Sequence, residues 1–166
     1  MKLIHYTNEK FSLKPREYDQ KELSFQAKPS GLWVSVEGEN DWKWWCEEEN
    51  YNLENLVVSY EIELKDDANI LYLTTADEIF YFTEEYPYLR QQWNDPIGIK
   101  ICATYELDWN KVKYRYQGII ISPYQGYCRC SEKSMWYYGW DCASGCIWDL
   151  SCIKEFKLNG EDPCKD

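Results

Sequence analysis

Alternation of apolar and polar positions predicts most of the strands of this chain. Apolar side chains occupy every second position through residues 56–64, which is the period of a strand that buries one face. The tail at 152–158 alternates in the same way. Shorter apolar stretches predict further strands at 2–6, Leu32–Val36, Ile70–Leu73 and 118–122.

Helix signals are fewer and more local. Thr75 and Glu78 have the spacing of a capping box, which predicts a helix over residues 76–86. A short helix is also expected over 108–116.

A third helix is rich in tryptophan. Asn40 or Asp41 can cap it, and it is expected to continue to residue 50. The three- and four-residue spacings of this segment place Trp42, Trp45 and Cys46 on one helix face.

The rest of the chain predicts turns and a single domain. A polar stretch before Lys28 is expected to be helical or irregular, and Lys28-Pro29-Ser30-Gly31 is a turn sequence that leads into the second strand. No repeat, low-complexity tract or linker interrupts the 166 residues. Strands outnumber helices and do not alternate with them regularly. We therefore expect one α+β domain over residues 1–166.

Charge and composition exclude some functions. The chain has 18 basic and 29 acidic side chains, a net charge of −11, so it lacks the basic surface that tight nonspecific nucleic-acid binding requires. No apolar run has the length of a signal peptide or a membrane span, so we expect a cytoplasmic protein without a membrane partner. With nine Trp, 15 Tyr and five Phe, the chain is expected to line a groove with some of its aromatic rings.

Cysteine and histidine limit the possible chemistry. The eight cysteines are expected to be free thiols in a reducing compartment. A zinc site on Cys128, Cys130, Cys142 and Cys146 is an alternative, but the spacing is not that of two repeated pairs, so no metal is expected. His5 is the single histidine, and no nucleophile elbow or phosphate-binding glycine loop is present.

Three segments together resemble a known family. His5-Tyr6-Thr7 ends the first strand, Trp33 and Ser35 lie in the second, and Trp44 follows Trp33 by 11 positions. In this order the residues resemble the ADP-ribosyltransferase fold of the poly(ADP-ribose) polymerases and diphtheria toxin. The resemblance implies a split, mixed or antiparallel β-sheet with a few short helices.

The same resemblance implies a binding site for NAD. It places His5 on the ribose hydroxyls, with Tyr6 and Thr7 beside it, and Ser35 as a brace for the ribose. It places Trp33 on one side of the nicotinamide, and Trp44 or Trp45 on the other. Nicotinamide is a flat cation, so an indole could hold it by stacking and cation–π attraction worth about 0.5–2 kcal/mol.

The residue in the position of the family's catalytic glutamate departs from the pattern. The matching strand begins at Tyr116-Gln117-Gly118, which puts Gln117 where the family has a carboxylate. Glutamine keeps a hydrogen bond to the ribose but supplies no charge to stabilise the transition state. Activity would then be limited to single transfers, depend on another carboxylate such as Asp141, or be absent.

The sequence therefore predicts two classes of function. The first is an NAD-dependent mono-ADP-ribosyltransferase or NAD glycohydrolase, with a protein, a nucleic acid or water as acceptor. The second is a non-catalytic, acidic, aromatic-rich protein that binds and blocks a host factor, as a DNA mimic would. The aromatic block at 136–148 also looks like segments of uncharacterised bacteriophage and bacterial proteins, a likeness that implies no activity.

Overall fold

A computed structural model describes residues 1–20, 28–87 and 107–161. Within these ranges the chain forms an α+β structure with one mixed seven-stranded sheet and a few short helices. The strands are β1 (Leu3–Thr7), β2 (Leu32–Val36), β3 (Val58–Leu64), β4 (Ile70–Leu73), β5 (Gly118–Ile121), β6 (Ser144–Ile147) and β7 (Ile153–Glu161). The α-helices are α1 (Trp42–Glu48), α2 (Ala76–Glu85), α3 (Trp109–Arg115) and α4 (Gly126–Arg129), and 3-10 helices span Leu53–Leu56, Glu132–Gly139 and Leu150–Cys152.

The strand order in the sheet is β4-β5-β6-β2-β1-β3-β7. Only β4 and β5 are parallel, and every other neighbouring pair is antiparallel. The α+β class and the mixed sheet with a few short helices that the sequence predicted are confirmed. Strand β6 pairs with both β5 and β2, and thereby joins the described strands into one sheet.

Two apolar clusters hold the sheet. The larger one packs α2, α3 and the aromatic 3-10 segment against the sheet, with Trp136, Tyr137 and Trp140 almost completely buried at its centre. The smaller cluster contains aliphatic side chains of β1 and β2, with Ile120 of β5 and Ile147 of β6. Much of the aromatic block at 136–148 is therefore core.

Most predicted elements are present, with small shifts of their ends. The predicted strands Leu32–Val36 and Ile70–Leu73 have these bounds in the structure, and α2 begins with the expected capping box of Thr75 and Glu78. Asp41 caps α1, which ends at Glu48, two residues before the expected end. The predicted strand over 56–64 begins at Val58, because a 3-10 helix ends at Leu56 and Val57 is its C-cap.

Some features were missed or are not described. Strand β6 was not predicted, although it lies near the middle of the sheet. Residues 8–20 of the polar stretch are irregular, as one of the two alternatives stated, whereas residues 21–27 lie outside the described part of the chain.

Candidate functional site

A cleft of about 380 Å³ opens where the ends of β1 and β2 meet α1 and the segment before β6. The two strands pair in antiparallel register, with Ile4 opposite Ser35. We call this space the β1–β2 cleft. Its lining includes five of the residues expected to bind NAD: His5, Tyr6, Thr7, Trp33 and Ser35.

His5 has a defined tautomer. Its Nδ1 atom lies 2.8 Å from the carbonyl oxygen of Trp33. A carbonyl only accepts hydrogen bonds, so Nδ1 carries the proton and Nε2 of the neutral ring keeps its lone pair. Burial lowers the pKa of His5 below its ordinary value of 6.5, against the opposing effect of the Trp33 hydrogen bond. His5 is therefore a neutral acceptor at pH 7, suited to a hydroxyl donor.

The Trp33 ring has two neighbours. The fully buried Trp140 packs against it at a centroid distance of 4.9 Å from inside the protein. The ammonium of Lys28, which also lines the cleft, lies over the same ring, 5.1 Å from its centroid. This distance is within the range of a cation–π contact. The indole thus already holds one cation.

Ser35 joins β2 to α1. Its Oγ accepts a hydrogen bond of 2.9 Å from the backbone N–H of Trp42, the first residue of the helix. That N–H has no partner within the helix, so the serine supplies one. Because this bond fixes the start of α1, it places Trp42 in the wall of the cleft. Within the described part of the chain the Ser35 hydroxyl proton has no acceptor, so it can be donated to a ligand.

The structure corrects the expected second ring. Trp44 is 45% exposed and, like Trp45, is not among the residues that line the cleft. The ring of α1 in the lining is Trp42, which stacks on Trp45 at 5.1 Å and 17°. Residues two apart on a helix differ by about 200° in direction, so Trp42 and Trp44 face opposite ways. The sequence already separated the two rings, because the predicted helix face included Trp42 and Trp45 but not Trp44.

Gln117 lies in a different place from the other predicted site residues. It lines a separate groove of about 430 Å³. Its Oε1 accepts a 2.9 Å bond from the backbone N–H of Asn69, and its Nε2 donates to Asp149 Oδ2 at 2.8 Å and Ser151 Oγ at 3.3 Å. These bonds tie the start of β5 to two neighbouring loops. The expected convergence of Gln117 with His5 is wrong, because β6 lies between β5 and β2.

The segment that leads into β6 supplies a carboxylate to the cleft instead. Ser144 pairs with Ser35 across the sheet, and the lining includes Asp141, Cys142 and Ser144. Ala143 is held on both sides, since its carbonyl accepts from the N–H of Val36 at 2.9 Å and its N–H donates to the carbonyl of Asn40 at 2.8 Å. The sequence of this segment has no periodic pattern from which the segment could have been predicted.

Asp141 is held between two cations. Its Oδ1 lies 2.8 Å from Arg129 Nη2 and its Oδ2 lies 3.8 Å from Lys28 Nζ. Its side chain is 17% exposed, so the carboxylate is only partly screened by solvent. Asp141 is the one Asp or Glu among the described residues of the lining.

The other polar groups of the cleft are neutral at pH 7. Burial, together with Asp41 and Glu37, raises the pKa of Tyr6 to about 12. Burial is also the main cause that raises the pKa of Cys142 to about 12, so its thiol is not a nucleophile at neutral pH. Asn52 and Asn55 also line the cleft and are linked by a 2.6 Å bond between their side chains.

The described cysteines are free, and most are buried. Cys128, Cys142 and Cys146 are buried, whereas Cys130 is exposed. Across residues 1–20, 28–87 and 107–161, no group of three or more His, Cys, Asp or Glu side chains is placed to hold a metal ion.

Comparisons with protein-family models, with curated proteins and with solved structures give no significant match. In the part of the chain that the structure describes, no helix is both long and apolar enough to cross a membrane.

Proposed function

We propose that this protein is an NAD-dependent mono-ADP-ribosyltransferase or NAD glycohydrolase, that its domain is ADP-ribosyltransferase-like, and that the β1–β2 cleft is its NAD site. One observation carries this proposal. Residues of three separate segments, the end of β1, strand β2 and the start of α1, meet in one cleft with a carboxylate. The cleft volume of about 380 Å³ lies within the range of small-molecule sites.

The reaction divides into a bond cleavage and a transfer. The glycosidic bond between the ribose C1 and the nicotinamide nitrogen breaks, and nicotinamide leaves as a neutral molecule with the electron pair of that bond. The ribose carries the positive charge as an oxocarbenium-like species. An acceptor on a protein or nucleic acid, or water, then adds to C1 and loses a proton.

The roles follow from the polarity of each group. The lone pair on His5 Nε2 accepts from a ribose hydroxyl, and the Ser35 hydroxyl donates to a ribose oxygen. Trp33 and Trp42 offer their rings to the nicotinamide. Asp141 takes the role first assigned to Gln117, because a carboxylate stabilises a developing cation and an amide does not.

Binding of NAD is the first test, and it does not depend on chemistry. Isothermal titration of NAD into the wild-type protein should give saturable binding, which Trp33→Ala should abolish. Trp44→Ala is the matched control, since it removes the same side chain from outside the cleft and should leave the affinity unchanged. If Trp44→Ala weakens NAD binding as much as Trp33→Ala does, the cleft is not the site.

Release of nicotinamide tests the chemistry separately. Asp141→Asn keeps the size of the side chain and removes its charge, so NAD should still bind while the release rate falls roughly 100-fold. Gln117→Ala is the control and should retain the wild-type rate. The role of Asp141 is refuted if Asp141→Asn releases nicotinamide at the wild-type rate.

One surface favours the second class of function. Residues 37–54 contain seven carboxylates and one lysine, and this stretch includes the exposed Trp44 and Tyr51. An acidic surface with exposed aromatic rings suits a basic protein partner. A wild-type protein that fails to bind NAD, yet binds an arginine-rich peptide in a way that Trp44→Ala abolishes, would favour the non-catalytic function.

A further inference from the structure

The β1–β2 cleft contains a conflict that ligand binding has to resolve. The nicotinamide of NAD is a cation, and the ammonium of Lys28, which lines the cleft together with Trp33, already lies over the Trp33 ring. Two cations cannot share one face of an indole, because they repel each other and because the face has room for one. Lys28 must therefore leave the ring before a nicotinamide can stack there.

Lys28 is held in a way that allows this movement. Its stem lies against Gly139, where a Cβ atom would approach Lys28 Cε to 2.9 Å, so the absence of a side chain at Gly139 makes the space for it. Its Nζ is 3.8 Å from Asp141 Oδ2, which is a loose ion pair, and its side chain is 40% exposed. A lysine has a flexible four-carbon stem and can redirect its charge without moving the backbone.

The charge inside the cleft indicates where the ammonium goes. Lys28 is the only Lys or Arg among the described residues that line the cleft. NAD carries two phosphates, whose charge a neutral wall leaves uncompensated and an acidic wall repels. Several carboxylates, including Glu37 and Asp41, lie near enough to raise the pKa of Tyr6. Once the Lys28 ammonium has left Trp33, it can compensate the negative charge of the diphosphate.

We propose that Lys28 is the anion subsite of the cleft. When NAD binds, the Lys28 ammonium leaves the Trp33 ring and binds the diphosphate. This inference rests on the proposed NAD site. The exchange has a consequence for Asp141, because it loses one of its two cations and keeps Arg129. Its negative charge is then less compensated when the ribose becomes positive. Diphosphate binding at Lys28 thereby prepares the carboxylate for the cleavage step.

The test compares three ligands that separate the ring from the diphosphate. NAD has both, nicotinamide riboside has the cationic ring and ribose without phosphate, and ADP-ribose has the diphosphate without the ring. Lys28→Met keeps the length of the stem and removes the charge. Lys43→Met is the control, because Lys43 is an exposed lysine of α1 that does not line the cleft.

Isothermal titration should give a distinct pattern. Lys28→Met should weaken NAD and ADP-ribose about tenfold or more, as expected for the loss of a charged hydrogen bond. The same variant should bind nicotinamide riboside as tightly as the wild type or more tightly, because the competing cation is gone. Lys28→Arg should retain most of the affinity for NAD, and Lys43→Met should change none of the three.

Two results would overturn the subsite, and a third would separate it from the proposed function. Unchanged binding of NAD to Lys28→Met refutes it, as does an equal loss for nicotinamide riboside, which would indicate a structural role for Lys28. If the wild type binds ADP-ribose through Lys28 but binds neither NAD nor the riboside, the anion subsite stands and the transferase proposal fails. Gly139→Ala gives an independent check, since it displaces the stem with the charge retained and should also weaken ADP-ribose.

Discussion

Replacement of Gly145 by alanine should destabilise the protein strongly, because this glycine lies where three strands meet. It is in β6, opposite Ile120 of β5 and Val34 of β2. A Cβ atom at this position would lie 2.5 Å from the carbonyl oxygen of Ile119 and 2.7 Å from Cγ1 of Ile120. The nearer contact is with backbone, which cannot move away without loss of strand pairing.

The magnitude follows from this overlap. Overpacking of a tight interior costs about 1–3 kcal/mol, and a backbone clash places Gly145→Ala at the upper end, near 3 kcal/mol. For a chain of this length, about 2–4 °C of melting temperature is lost per kcal/mol, so the midpoint should fall by about 6–12 °C. Urea unfolding followed by circular dichroism measures the free energy directly. Under the proposed function NAD affinity should fall as well, since Ser144 next to Gly145 lines the cleft.

Gly126→Ala is the matched control for this variant. Gly126 is the first residue of α4, and of the described residues a Cβ there would meet only Tyr124, at an ordinary distance of 3.5 Å. Alanine also favours a helix more than glycine does, so stability should stay level or rise by up to about 1 kcal/mol. The reasoning is refuted if Gly145→Ala costs less than about 0.5 kcal/mol, or if both variants lose the same amount.

Three further predictions concern a cap, a loop and pH. Thr75→Ala removes the side chain that accepts from Glu78 N–H and should cost about 1 kcal/mol in urea unfolding; no change would contradict the capping role. Gln20→Ala breaks two hydrogen bonds, of 2.8 and 2.9 Å, to the backbone of Ser30, and should cost about 2 kcal/mol. Gln20→Glu should cost at least as much, because it places a carboxylate against the Ser30 carbonyl in a buried position. Burial lowers the pKa of His5 in the folded state, so the stability contributed by its neutral form is complete above about pH 6.5 and is lost as the pH falls below it. Unfolding curves from pH 8 to 5 should show this decline in the wild type and a smaller one in His5→Gln; equal slopes would exclude His5 as the cause.

The sequence by itself determined the elements whose signals are local. The capping residues of α2, the Asp41 cap of α1 and the two-residue alternation of β3 depend on neighbours within a few positions. The strands that carry His5 and Trp33 were predicted from the same local pattern, whereas the meeting of these two residues in one site was an expectation from the family resemblance.

Only the tertiary structure decided what depends on pairing between distant segments. Strand β6 is four small or apolar residues with no alternation, and it exists because β2 and β5 each supply one edge for it. Its insertion separates Gln117 from the cleft and brings Asp141 to it. The sequence names every side chain of the site, but the order of strands decides which of them meet, because strand neighbours are set by long-range hydrogen bonding and burial and not by position along the chain.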